Sequence, residues 1–323
     1  MTPTFLTLPD DKVIKLPAWG GHKKAAHVID EGSVFALNAA LATGRPLLVR
    51  GEPGMGKSQL ARAAAVGLKR VLLHHTVDAR TEPRDLLWTV DAVARLAEAQ
   101  VMGALHGVTR REVHATIDVR RFTQPGALWW AFDWDSASAQ ADLARVRPPE
   151  VPEGCDPAAG SVVLVDEIDK ADVAIPNALL DALGHGRFEV PGCEDVVTMR
   201  RERRPLVVIT TNEERALPDA FLRRCFVMHL GLPTAGGELR EALYQRGEAH
   251  FGKAREAVLR QGAELIAARR LERRHEETPA PGVAEYIDLV EAVLEQPAAG
   301  IAPDALMKKI VPFVLDKHAA AKA

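Results

Sequence analysis

The octapeptide Gly51-Glu52-Pro53-Gly54-Met55-Gly56-Lys57-Ser58 constrains this chain more than any other stretch, because it meets every fixed position of the pattern G-x-x-x-x-G-K-[ST]. Its glycines let the backbone turn sharply and present N–H groups to phosphate oxygens. Lys57 supplies a point charge for the outer phosphates and Ser58 a hydroxyl for Mg²⁺. The flanks agree. Pro46-Leu47-Leu48-Val49 is a short apolar run that reads as a buried strand, and Gln59-Leu60-Ala61-Arg62-Ala63-Ala64-Ala65-Val66 is rich in helix formers. Strand, loop and helix in that order place phosphates at a helix N-terminus, where orphan N–H groups and the helix dipole favour anions. The residues expected to hold a nucleotide are therefore Gly51, Glu52, Pro53, Gly54, Met55, Gly56, Lys57, Ser58 and Gln59, with Ser58 also a metal ligand.

Composition narrows the partners. Lys and Arg number 41 against 44 Asp and Glu, a formal net charge of −3, so there is no global basic field to draw in nucleic acid or a membrane surface. Cys155, Cys193 and Cys225 are odd in number, far apart and without metal-ligand spacing, which fits reduced thiols with no thiol chemistry. The first 15 residues lack the basic start and apolar core of a signal peptide, and no run of about 18 apolar residues exists to span a bilayer. A soluble, cytoplasmic protein is expected. At 323 residues, one large and one small unit are the default.

Along the chain, residues 1–29 read as an irregular arm, with His22 and His27 solvated beside Lys23 and Lys24. Val34, Leu37 and Leu41 at helical spacing, followed by Gly44, predict the first helix. Residues 70–76 read as a second strand. Its adjacent His74 and His75 point to opposite faces and so do not share a metal. A helical stretch over 85–104 follows. Trp129, Trp130 and Trp134 beside Pro125-Gly126 leave two readings open, a plug in the core or a projecting loop that grips a partner. Residues 135–160 read as an exposed connector.

Val162-Val163-Leu164-Val165 has the continuous apolar character of a strand buried on both faces of a parallel sheet. Asp166 and Glu167 stand at its C-terminal end, where ligands bind in open α/β sheets. Asp166 is placed to hold Mg²⁺ and Glu167 to take a proton from, or polarise, an attacking water. Asp172 can cap the next helix, with Pro176 in its first turn. Residues 187–199 look like a β-hairpin, and Arg200-Arg201-Glu202-Arg203-Arg204 is the strongest basic cluster, read as a solvated loop or subunit contact rather than a nucleic-acid site. Residues 206–212 form another buried strand ending in Asn212, which can orient water. After Pro218, Arg223 and Arg224 stand near the end of a short helix, where an arginine can neutralise charge on the γ-phosphate held by a neighbouring subunit. Gly231-Leu232-Pro233 marks the best boundary, giving an arm over 1–29, a nucleotide-binding α/β domain over 30–232 and a helical lid over 233–323. Pro312 is expected to kink or interrupt the last helix, and residues 319–323 to fray.

With these parts in this order the chain resembles the AAA+ ATPases, and among them the MoxR family. Residues 51–58 look like Walker A, 162–167 like Walker B, Asn212 like sensor 1 and Arg223-Arg224 like the finger region. Gly44-Arg45-Pro46-Leu47-Leu48, residues 122–132 and the hairpin over 187–199 are similar to MoxR features in particular. The resemblance implies an α/β P-loop NTPase fold, a parallel sheet flanked by helices, followed by a small all-helical lid. It also implies ATP and Mg²⁺ as ligands, a hexameric ring of identical subunits, and chaperone-like remodelling of a protein client, often one with a von Willebrand factor A domain. Arg224 is favoured over Arg223 because Arg-Cys-Phe sits where the family's finger precedes its aromatic. One departure is that the place where many MoxR-like lids carry the sensor 2 arginine reads Ala280-Pro281-Gly282-Val283-Ala284. Either Arg273 or Arg274 substitutes or that sensor is absent. Competing readings are a slow-turnover nucleotide-gated scaffold, a small-molecule kinase and a nucleic-acid motor.

Overall fold

The computed structural model describes every residue except 1–4, 20, 108, 171, 173, 273–279, 297–300 and 316–323. The expected fraying at 319–323 lies outside the described residues. The N-terminal stretch is more ordered than its composition suggests. Strand β1 (Val13–Leu16) pairs antiparallel with β2 (Ala25–Val28), Val13 facing Val28 and Leu16 facing Ala25. Ile14 and Leu16 are buried while Lys15 between them is exposed, a period-2 signal compressed into four residues. Helix α1 (Glu31–Thr43) follows, its start fixed by the Asp30 carboxylate accepting from the Ser33 N–H at 2.6 Å and its end by Gly44 at φ +71°.

Strand β3 (Leu47–Arg50), helix α2 (Lys57–Leu68) and strand β4 (Val71–Thr76) come next, in the order the phosphate-loop pattern requires. The expected helix over 85–104 begins later than its pattern suggests. A short strand β5 (Trp88–Val90) precedes α3 (Ala92–Ala104), which Asp91 caps by accepting from the Ala94 N–H. Then come α4 (Arg110–Thr116), β6 (Thr123–Pro125), α5 (Ala127–Phe132), α6 (Trp134–Ala144), β7 (Ser161–Asp166), α7 (Ala174–His185), β8 (Arg187–Phe188), β9 (Val197–Thr198), β10 (Leu206–Thr211), α8 (Asp219–Leu222) and β11 (Phe226–His229). The final helices are α9 (Gly236–Phe251), α10 (Glu256–Glu272), α11 (Val283–Glu295) and α12 (Pro303–Leu315).

The main sheet has five strands in the order β11-β3-β10-β7-β4. Leu206 of β10 lies beside Val162 of β7, and Val71 of β4 beside Ser161, both pairs parallel. Val162, Val163, Leu164 and Val165 are all essentially inaccessible, as a strand covered on both faces must be. Strands β7 and β10 are parallel neighbours, so the loops leaving both emerge at the C-terminal edge of the sheet, the ligand edge of open parallel sheets. The architecture is a parallel sheet flanked by helices and followed by C-terminal helices.

Contacts divide the chain into two compact units, one of residues 1–7, 34–48 and 64–227, the other of residues 8–33, 49–63 and 228–323. In the first, α5 carries Trp129 and Trp130 at 3 % and 5 % exposure. The Trp129 indole donates to Ser136 Oγ at 2.9 Å, Trp130 meets Trp134 edge-on at 4.9 Å between centroids, and Phe188 of β8 packs against Trp129 and Phe132. These tryptophans plug the core, and the projecting-loop alternative is corrected. Likewise 135–160 is no plain connector. Helix α6 takes its first part and buries Gln140, whose amide donates to the carbonyls of Arg120 and Thr123. The hairpin over 187–199 is present as β8 and β9. The basic cluster beyond it is partly neutralised from within the unit, Arg200 reaching Asp133 at 2.8 Å and Asp135 at 3.0 Å.

The second unit centres on Leu243, Leu259, Ile266, Tyr286 and Val290 from α9, α10 and α11, with Met307 of α12 in an adjoining cluster. Pro312 sits inside α12 and does not end it, since the helix continues to Leu315. Gly247 allows the close approach of α9 to α11. A Cβ there would collide with the Tyr286 hydroxyl and lie 3.0 Å from Leu259. That hydroxyl also donates to the Leu259 carbonyl at 3.0 Å in a fully buried position, so it cannot swing away cheaply. Gly247→Ala gains up to about 1 kcal/mol of helix propensity but forces overpacking of about 1–3 kcal/mol. The expected outcome is a net loss of stability, seen as a lower urea midpoint by circular dichroism. An unchanged or higher midpoint would show that the contact relaxes freely.

Candidate nucleotide site

Two groups of residues, one in each unit, carry the chemistry expected from the sequence. In the second unit the phosphate loop runs from the end of β3 into α2. Gly51 has φ +149°, and a side chain there would run into the Leu230 carbonyl, so this position admits glycine alone. Gly54 and Gly56 also have positive φ. Lys57 is 7 % exposed and its ammonium donates to the carbonyls of Gly51 at 2.6 Å and Glu52 at 2.9 Å. The loop thus encloses its own lysine, and Ser58 follows it at the first turn of α2.

The helix behind the loop is anchored by Arg62, whose guanidinium donates to the Pro17 carbonyl at 3.0 Å and the Lys23 carbonyl at 3.2 Å, tying it to the turn between β1 and β2. His27, expected to be solvated, is instead buried on β2 close to Gly56 and bonded to the Gln59 side chain. Burial, with Arg246 nearby adding to it, pushes its pKa down to about 4, so the imidazole is neutral at pH 7. The sequence gives no signal of this, because β2 does not alternate: Ala26 and His27, next to each other, are both buried.

The same loop also meets the C-terminal helices. The Ala284 N–H, at the start of α11, donates to the Gly54 carbonyl at 3.0 Å. Arg270, in the last turn of α10, donates to the Glu52 carboxylate at 2.7 Å and to the Pro281 carbonyl at 2.9 Å. Arg273 and Arg274, the arginines singled out from the sequence for this region, lie outside the described residues. Arg270 was missed because it sits inside an ordinary helical pattern with no loop motif around it.

In the first unit, Asp166 ends β7 and Glu167 follows in the left-handed region at φ +61°, a conformation that costs a non-glycine residue about 1 kcal/mol or more and that concentrates at functional sites. Thr210 of β10 holds the turn. Its hydroxyl donates to the Asp166 carboxylate and accepts from the Glu167 N–H at 3.0 Å. Lys170 donates to Glu167 Oε2 at 2.6 Å, and the Glu167 carboxylate holds the Lys170 pKa above its ordinary value. Asp169 is 2 % exposed and accepts from the backbone N–H groups of Asn212 at 3.2 Å and Glu214 at 3.0 Å, which fixes the polar end of β10 against the end of β7. The structure therefore brings Asp166, Glu167 and Asn212 together through Thr210 and Asp169, neither of which the sequence reading named. For Asp169 the available signal is its place in Asp166-Glu167-Ile168-Asp169-Lys170; Thr210 has none.

His74 Nε2 lies 3.5 Å from the Asp166 carboxylate, while the His75 ring is partly buried and its pKa is lowered by desolvation. The two rings diverge, as strand geometry requires. Arg223 and Arg224 follow α8 and are both exposed, so neither guanidinium is committed to the interior of its own chain.

The AAA domain family, dynein-related subfamily, matches residues 46–246, from the start of β3 into α9, which takes in the phosphate loop, Asp166, Glu167, Asn212, Arg223 and Arg224. The chain belongs to this family. It has the nucleotide-binding fold of that family, a parallel-sheet domain followed by C-terminal helices. Among solved structures, the chain is similar to a putative ATPase from Cytophaga hutchinsonii, at 12 % identity and a TM-score of 0.37, with 81 % of this chain and 57 % of that chain covered. The chain thus spans little more than half the length of that neighbour. A comparison with curated proteins gives no match. No helix among the described residues is long and apolar enough to cross a membrane.

Proposed function

We propose that this protein is an AAA+ ATPase of the MoxR type, a ring of identical subunits, six by family resemblance, that couples Mg²⁺-dependent ATP hydrolysis to remodelling of a protein client, with a von Willebrand factor A domain protein as the candidate. The observation that carries the reading is the strained, doubly anchored Glu167 at the end of β7, beside an Asp166 whose carboxylate is oriented by Thr210. Support for the MoxR type comes from the β8–β9 hairpin before β10 and from residues 122–132, where β6 and α5 stand at the place of the insert that the resemblance implies. A division into residues 30–232 and 233–323 remains part of the proposal.

In this reading the backbone N–H groups of residues 51–58 and the Lys57 ammonium bind the phosphates, and Lys57 exchanges its two carbonyl partners for phosphate oxygens. Gln59, next on α2, would contact the same ligand. The donor set offered to a metal, the Ser58 hydroxyl and the Asp166 carboxylate, consists of hard oxygens, few in number, which suits Mg²⁺ shared with a nucleotide rather than a metal caged by protein alone. When bound, Mg²⁺ neutralises developing phosphate charge. Glu167 accepts the proton as water attacks the γ-phosphorus and the bond to the bridging oxygen breaks, leaving ADP and phosphate. Asn212 orients the water, and Arg224 of one subunit, with Arg223 beside it, faces the γ-phosphate held by the next.

Lys57→Ala tests the loop assignment. Removing one charged donor costs about 1.5–3 kcal/mol, so ATP affinity measured by calorimetry is expected to fall by about 10- to 100-fold. Wild-type affinity would show that the phosphates bind elsewhere. Light scattering with and without Mg²⁺-ATP checks ring assembly, and a species that stays monomeric under both conditions counts against it. A second reading, the slow-turnover scaffold, is favoured by the Lys170–Glu167 ion pair, which occupies the carboxylate that hydrolysis needs. Wild-type turnover that stays near background with client present would support it.

A further inference from the structure

We propose that Arg270 is a positioning residue for nucleotide binding, acting through Glu52: its guanidinium neutralises the one carboxylate built into the phosphate loop and holds that loop to the turn that starts α11. The inference rests on the reading of residues 51–58 as the nucleotide loop and goes beyond it, since no pattern in that loop calls for residue 270.

The argument begins with charge. Glu52 is the only acidic residue among residues 51–58, in a loop whose other features all serve to attract phosphate. An unneutralised carboxylate beside a triphosphate repels it, and the repulsion between charges a few ångströms apart near a protein surface amounts to a substantial fraction of a nucleotide's binding energy. Arg270 removes that repulsion. Its side chain is 16 % exposed, so the guanidinium is largely withdrawn from water, and it meets Glu52 at 2.7 Å.

The second part is geometric. The same guanidinium donates to the Pro281 carbonyl at 2.9 Å and reaches the Ala280 carbonyl at 3.4 Å, which fixes the segment leading into α11. Three residues beyond Pro281, the Ala284 N–H donates to the Gly54 carbonyl, and Glu285 folds back to accept from the Gly282 N–H at 2.8 Å. Gly282 and Gly54 are both at close approach. A Cβ on Gly282 would lie 3.2 Å from the Met55 side chain, and one on Gly54 would lie 3.1 Å from the Ala284 Cβ. The loop and the first turn of α11 are therefore fitted to each other, and Arg270 is the cation that joins them. A planar guanidinium can serve a carboxylate and two carbonyls at once, which a lysine ammonium on a flexible stem does less well. Residues 280–285 bring no positive charge of their own to this place.

The test is a double-mutant cycle on ATP affinity and steady-state kinetics in the full chain. Arg270→Ala is expected to raise the KM and Kd for ATP by about 10-fold with kcat within about twofold, and the defect should shrink at high salt because it is electrostatic. Glu52→Ala alone, which removes the carboxylate and leaves the Arg270 guanidinium beside the loop, is expected to bind ATP more tightly than wild type. Combined with Arg270→Ala, it should restore most of the lost affinity, since the offending charge has gone. Arg270→Lys should fall between wild type and Arg270→Ala. A double variant no better than Arg270→Ala, or an Arg270→Ala variant within twofold of wild type, overturns the proposal. Loss of kcat together with thermal stability, without rescue by Glu52→Ala, also overturns it, because that is the behaviour of a residue that only holds the helices together. Lys57→Ala run alongside separates the two levels. If it keeps wild-type ATP affinity, the loop reading has failed. If it loses affinity while Arg270→Ala does not, the failure belongs to Arg270.

Discussion

Glu167→Gln is expected to bind ATP as tightly as the wild type and to release phosphate slower by about 10²–10⁴-fold, the usual worth of a positioned general base. The substitution is nearly isosteric and leaves the backbone arrangement intact. The Glu167 N–H still donates to Thr210, the left-handed φ is unchanged, and the amide oxygen still accepts from Lys170. What disappears is the capacity to take a proton from water as the γ-phosphorus is attacked. Binding should survive because residues 51–58 and Lys57 belong to a different loop, following β3 rather than β7. Phosphate release by a coupled assay, with ATP affinity by calorimetry on the same preparation, separates the two effects. A variant that hydrolyses within a few-fold of wild type would remove Glu167 from the chemistry. A variant that loses binding and turnover together would mean that the turn around Thr210 had been disturbed.

The parts of the fold that were legible in the sequence share one property, that the physics which sets them is local. The phosphate loop needs glycine where side chains collide, as at Gly51, and the apolar run 162–165 is continuous because β7 is covered on both faces. Likewise Gly44 marks the end of α1 because a left-handed residue must stand there. What was not legible depends on partners distant in the chain. Trp129 and Trp130 look the same in sequence whether they grip a client or fill a core, and only the arrival of Phe188 from β8 decides. His27 reads as solvated beside Lys23 and Lys24 until Gln59, Arg246 and His250 are brought around it. The candidate site divides the same way. Asp166 and Glu167 announce themselves at a strand end, whereas Thr210 and Asp169, which orient them, are ordinary residues made special by the register of β10 against β7. Arg270 is the extreme case, 218 residues from its partner Glu52.

Arg224→Ala should give the other large effect, and it differs from Glu167→Gln in where the damage falls. An arginine that stabilises transition-state charge from across a subunit boundary is worth about 10³–10⁵ in rate, so turnover is expected to drop by that order while ATP affinity and assembly persist. The exposure of Arg224 fits a group that completes no site within its own chain. Its neighbour Arg223, also exposed, closes the short turn after α8 through its backbone N–H to Asp219, so Arg223→Ala serves as the matched control and is expected to cost less. Mixing the two inactive proteins decides whether the action is in trans. An Arg224→Ala subunit has an intact Glu167, and a Glu167→Gln subunit has an intact Arg224. Where the first holds ATP against the second, one complete site forms, so mixed rings should regain activity in proportion to the fraction of such boundaries. Recovery on mixing cannot arise if both residues serve ATP bound to their own chain, since each subunit would then carry its own defect. No recovery from two variants that each still assemble would place Arg224 outside a shared site, and normal hydrolysis by Arg224→Ala alone would remove it from the reaction altogether.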